Sequence, residues 1–143
     1  MFLVRMAFGK DVAYLAKHTL FRFPFGWFFR ATGAIPVERS EHHHLVQAMV
    51  RAFQTRPKLW LALAPEGTRA KTGHWKSGFY HVAQQARVPL LLAFLDARTR
   101  RCGVGPLLEL THDPKHDIER LRAFYSDKRG IRPERESDIR IDL

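Results

Sequence analysis

Leu59-Trp60-Leu61-Ala62-Leu63-Ala64-Pro65-Glu66-Gly67-Thr68-Arg69 is the stretch around which the chain is organised. Apolar residues run to Ala64 and stop at Pro65, Gly67 and two opposite charges. A short apolar run bounded by breakers reads as a buried strand feeding a tight loop. In open α/β sheets, ligands sit outside the carboxyl ends of strands, where such loops gather. An Arg in that loop can hold a phosphate with its planar fork, and a nearby Glu can hold the Arg. Taken alone, Glu66 to Arg69 would better suit a surface turn with an incidental ion pair. The neighbouring sequence decides between these readings.

The same pattern occurs upstream. Ala34-Ile35-Pro36-Val37 is a short apolar strand that ends in Glu38-Arg39. Ser40 then caps a helix whose buried stripe is Leu45, Val46, Met49, Val50 and Phe53. Before it, Val12 to Ala16 is a strand, followed by a run from Phe21 to Phe29 with six aromatics in nine residues. Pro24 suits the first turn of a helix to about Thr32, stopped by Gly33. Most of these rings are expected in the core, with an exposed remainder suited to the headgroup region of a membrane.

Beyond the central loop, Ser77 caps a helix through about Ala86, and Val88 to Leu95 reads as a second buried strand. Arg98 to Gly105, basic and glycine-containing, reads as a loop, and Leu107 to Leu110 as a last strand. Asp113 caps and Pro114 opens a helix with Ile118, Leu121, Phe124 and Tyr125 on one side. Residues 127–143 are charged and lack periodicity, so they read as a disordered tail after a domain over 1–126. Strands alternating with helices imply an α/β fold, a largely parallel sheet flanked by helices.

The 143 residues carry 24 Lys+Arg against 14 Asp+Glu, a net charge of +10. Such a field favours anionic partners: nucleic acid, an acidic membrane surface or a phosphorylated substrate. No nucleic-acid motif is present and the basic residues are scattered, so nucleic acid ranks last. Cys102 is the single cysteine, which excludes an internal disulfide. His42, His43 and His44 are adjacent in a helix and point about 100° apart, so they cannot converge on one metal. No apolar run approaches the ~20 residues of a membrane-spanning helix. The expected location is the cytoplasm, peripherally on the inner face of the membrane.

In order, these blocks resemble the glycerolipid acyltransferase family, which includes the 1-acylglycerol-3-phosphate acyltransferases. Gly33 to Arg39 resembles the family's second block, Glu66-Gly67-Thr68-Arg69 its third, and Val88-Pro89-Leu90-Leu91-Leu92 its fourth. Lys17 to Phe21 and Phe25-Gly26-Trp27 resemble the approach to the second block. The resemblance implies acyl transfer from an acyl-CoA or acyl-carrier-protein thioester to the hydroxyl of a lysophospholipid, with no further cofactor and no metal. It implies that Arg39, Glu66, Gly67, Thr68 and Arg69 form the substrate phosphate site, both arginines facing one pocket. Lys76 is a possible further contact. Ala70 stands where the family often has Ser.

The family's first block, a His followed by four residues and an Asp, is the general base with its orienting acid. No such block precedes Gly33. His112 and Asp117 have the spacing but lie after the last core strand, at a helix start where Asp113, Pro114 and Asp117 have capping and first-turn roles. We read that pair as structural. The opening residues, Phe2 to Phe8, look like the later turns of a helix, so Met1 is expected to be internal to a longer frame carrying the missing block and the first strands. The chain by itself is then expected to be inactive. The alternative is a catalytically silent protein that binds phosphoglycerolipid or a membrane surface.

Overall fold

The structure, a computed structural model, describes residues 12–37, 42–68, 70–111 and 113–142. The chain divides into two compact units, Met1–Ala64 and Pro65–Leu143.

In the first unit, strands β1 (Val12–Lys17), β2 (Ala34–Val37) and β3 (Trp60–Ala62) form a sheet in the order β2-β1-β3. Both pairings are parallel, with Leu15 opposite Ile35 and Ala13 opposite Leu61. Helix α1 (Gly26–Ala31) joins β1 to β2, and helix α2 (His42–Thr55) joins β2 to β3. Parallel strands need such crossovers, because no tight turn can return the chain to the same end of a sheet. Ala13, Ile35, Val37 and Ala52 form the core cluster, with Leu45, Leu59 and Leu61 packed against it. Of the expected stripe of α2, Met49 and Val50 are buried and Leu45 packs on the sheet's core cluster, to which the helix also contributes Ala52. The α/β class and the parallel sheet flanked by helices are as the sequence implied.

Two local expectations change. The aromatic run after β1 is mostly outside the core: Phe23 is 97% exposed, Trp27 73%, Phe25 66% and Phe28 50%. Helix α1 has only six residues, and its rings meet each other edge to face, Trp27 on Phe28 and Phe28 on Phe29. Pro24 precedes the helix rather than opening it. Strand β3 is half-buried rather than fully buried and lies at the edge of the sheet, with Trp60 47% exposed.

In the second unit, helix α3 (Gly78–Ala86) leads to an antiparallel hairpin of β4 (Leu90–Asp96) and β5 (Arg101–Leu108), followed by helix α4 (Pro114–Tyr125). The stretch Arg98 to Gly105, expected as a loop, therefore supplies most of β5. Its glycines make room for rings: a Cβ on Gly105 would run into the Phe124 ring, and one on Gly103 would lie 3.3 Å from Phe94. Glycine in a strand marks such close approach. The turn is held by Asp96, whose carboxylate accepts from the Thr99 hydroxyl at 2.6 Å and from the Arg98 and Arg129 N–H groups at 3.2 Å. The Thr99 bond, above all, holds the Asp96 carboxyl below its ordinary range.

Leu92, Leu108, Ile118 and Leu121 form the core of this unit. Asp113 caps α4 as expected, its carboxylate accepting from the Lys115 and His116 N–H groups. Residues 127–142 differ from the disordered tail expected of them. They follow a defined path, with a 3₁₀ turn at Pro133–Arg135 and with Ile139 and Ile141 packed against the core cluster.

Candidate functional site

The Glu66 loop follows β3 in the chain and opens the second unit. Pro65 accepts from the Lys76 N–H at 2.9 Å, closing the ten-residue excursion between them into a compact loop. Gly67 has φ +67°, a left-handed conformation that glycine adopts without steric cost. The Lys76 side chain lies over it: a Cβ at Gly67 would be 3.1 Å from Lys76 Cδ and 3.5 Å from Nζ. Lys76 is therefore beside the loop, and its stem is packed on the glycine backbone. Thr68 is exposed, and its hydroxyl accepts from the Ala70 N–H at 3.1 Å, a local turn of the kind Thr and Ser favour.

Glu66 is half-buried, and its carboxylate has a partner that the sequence did not reveal. The Ser137 N–H donates to Glu66 Oε1 over 3.1 Å. Around that contact, the Ser137 and Thr72 hydroxyls are 2.7 Å apart, and Thr72 also donates to the His74 carbonyl. The Trp75 N–H donates to the Asp138 carbonyl, and His74 pairs with Asp142 at 3.0 Å. One signal for this was present: Asp138-Ile139-Arg140-Ile141-Asp142 alternates charged and apolar residues, the period of an extended segment lying on a core.

Arg39, Arg69 and His112 lie outside the described residues. Glu66, Gly67, Thr68 and Lys76 are brought together in one loop of the second unit. Asp117 is placed elsewhere in that unit and is fully buried. Its Oδ2 accepts from the Tyr80 hydroxyl at 3.0 Å and from the Thr111 N–H at 2.9 Å, and its Oδ1 from the Thr111 hydroxyl at 3.1 Å. Burial, reinforced by the Asp117 carboxylate, pushes the Tyr80 hydroxyl up to about 12. Such an acid is occupied in joining α3, α4 and the end of the hairpin. Among the described residues, no group of His, Cys, Asp and Glu could hold a metal ion, and no helix is long and apolar enough to cross a membrane.

Comparison with known proteins places this loop in a family. A family model described as Acyltransferase matches residues 1–92, which include both Glu38-Arg39 and Glu66 to Arg69. A 1-acyl-sn-glycerol-3-phosphate acyltransferase of Cocos nucifera is 30% identical, over 64% of this chain and 32% of the relative. A probable 1-acyl-sn-glycerol-3-phosphate acyltransferase 5 of Arabidopsis thaliana is 31% identical, over 93% of this chain and 37% of the relative. The chain thus spans about a third of the length of the curated relatives it matches. No solved structure matches it at a significant level. With the model covering well over half of its residues, the chain belongs to the Acyltransferase family.

Proposed function

We propose that the chain supplies the acceptor-binding part of an enzyme of phospholipid biosynthesis. That enzyme transfers a fatty acyl group from an acyl-CoA or acyl-carrier-protein thioester to a lysophospholipid such as 1-acylglycerol-3-phosphate. The acceptor hydroxyl loses its proton to a base, its oxygen attacks the thioester carbonyl, and the thiol departs. Arg69 grips the acceptor's phosphate, Glu66 holds Arg69 or a substrate hydroxyl, Gly67 lets the backbone come close, and Thr68 adds a hydroxyl donor. Holding the phosphate aligns the hydroxyl with the donor, which is where such a site gains much of its rate. The observation that carries this reading is the compact Glu66 loop, with Gly67 left-handed and Lys76 across it, in a chain similar to two proteins named for that reaction.

No His-x-x-x-x-Asp precedes the phosphate-binding blocks in this sequence. Lacking a general base, acyl transfer should be slower by about two to four orders of magnitude. The 143-residue chain alone is therefore a binder of the acceptor with little turnover. The exposed rings of Phe23, Phe25, Trp27 and Phe28, interleaved with exposed Arg22 and Arg30, support a peripheral place on an anionic membrane. An assay of acyl transfer from acyl-CoA to lysophosphatidate, run beside a binding titration, tests the reading. Saturable binding with little transfer is expected. Robust transfer lost in His112→Ala would assign the base to that residue and overturn the reading of His112 and Asp117 as structural.

A further inference from the structure

The segment from Ser137 to Asp142 sits against the candidate acceptor loop rather than trailing from α4. Its first residue donates a backbone N–H to Glu66 Oε1, and its serine hydroxyl meets Thr72 at 2.7 Å. Its next residues pair with the backbone of Trp75, just before Lys76, and Arg122 Nε holds the Ile139 carbonyl at 2.6 Å. Ile139 and Ile141 anchor the segment in the core of the second unit. Ser137, Asp138 and Asp142 thus reach Glu66, Thr72, Trp75 and His74 of the loop, while Ile139 and Ile141 tie the segment to α4 and the core.

We propose that Ser137–Asp142 is a strap that fixes the Glu66 carboxylate in the acceptor site, with Ser137 and Thr72 as positioning residues. The proposal rests on the reading of the Glu66 loop as that site. With Oε1 of Glu66 accepting from Ser137, the carboxylate is held in the loop where a substrate hydroxyl would meet it. A half-buried carboxylate on a glycine-bearing loop has several rotamers, and the Ser137 N–H favours those that keep Oε1 against the strap. A hydrogen bond from a backbone N–H to a carboxylate is among the stronger kinds, which suits it to this task. The serine and threonine hydroxyls in turn hold the strap in register with the loop.

The geometry supplies a pair of variants. Glu136 has φ −61° and ψ 136°, the extended conformation that a residue preceding proline prefers. Ser137→Pro therefore deletes the N–H, together with the hydroxyl that meets Thr72, without forcing a change on Glu136, and Ser137→Ala, which loses the hydroxyl alone, is its control. The probe is 1-hexanoyl-lysophosphatidate, titrated into the full chain by calorimetry in a double-mutant cycle. Ser137→Pro should weaken binding at least about fivefold in the parent and less than about twofold in Glu66→Ala, because its effect runs through Glu66. Equal weakening in both backgrounds, or none in the parent, would overturn the strap while leaving the phosphate site standing if Arg69→Ala still weakens binding at least about tenfold. Amide exchange of Ser137 judges the contact without a ligand. Glu66→Ala should speed it at least about tenfold, and unchanged exchange would overturn the proposal. A chain that binds no lysophosphatidate but shows the faster exchange upholds the strap and removes the acceptor reading.

Discussion

The Tyr80 hydroxyl donates to Asp117 Oδ2 over 3.0 Å, and both side chains are sealed from solvent. The acid that shares catalytic spacing with His112 is therefore engaged by three donor groups within its own unit. Asp117→Ala would strand the Tyr80 hydroxyl in the interior, at about 1–3 kcal/mol, and free the Thr111 N–H, on an exposed residue, at smaller cost. Urea unfolding should show a loss within that compass. An unchanged midpoint together with a lost enzymatic activity would make Asp117 a catalytic acid instead.

Tyr80 also sets an alkaline limit. Its hydroxyl is raised to about 12 in the folded chain and ionises near 10 when unfolded. Between those values the native state keeps a proton that the unfolded state has lost, so stability falls as pH rises through that window. Below pH 10 the contribution is fully present. Tyr80→Phe should flatten the decline between pH 10 and 12, at the cost of one unpaired acceptor position on Asp117. Thermal unfolding of the two proteins across that range reads the difference.

Much of this was legible in the sequence, for identifiable reasons. The parallel sheet followed from apolar runs at Val12, Ala34 and Leu59 separated by a helix of clear period, and Asp113-Pro114 announced its helix through cap and first-turn chemistry. Strand β5 was not legible. Its Gly103, Gly105 and Pro106 have low strand propensity, and what makes the stretch a strand is pairing with β4 and the rings that lie on Gly103 and Gly105. The strap was hidden for a similar reason. Its key donor is a main-chain N–H, which no residue type records, and its apolar anchors are only Ile139 and Ile141. The exposed aromatics were misread because a run of rings resembles core until its helix proves too short to bury them.

Gly67→Ala tests the loop. A methyl group there meets a φ of +67° and the Lys76 stem at 3.1 Å, so the side chain must shift as well as the backbone. The loss in stability should be about 1 kcal/mol. Lysophosphatidate affinity should fall further than that stability change alone would produce, measured by calorimetry well below the unfolding temperature.

The aromatic surface makes a separate prediction. Phe23 and Trp27, 97% and 73% exposed, contribute little to the fold, so replacing both with Ser should leave the unfolding midpoint nearly unchanged. Sedimentation with anionic vesicles should nonetheless drop several-fold, because those rings lose their place in the headgroup region. Equal sedimentation of parent and variant would remove this surface from the membrane contact.

The central claim is that this chain holds the phosphate of a lysophospholipid through the Glu66 to Arg69 loop. The most direct measurement is the affinity of the full chain and of Arg69→Ala for 1-hexanoyl-lysophosphatidate. A charge-assisted contact contributes about 1.5–3 kcal/mol, so the variant should bind at least about tenfold more weakly. Equal affinity in the two proteins would contradict the account.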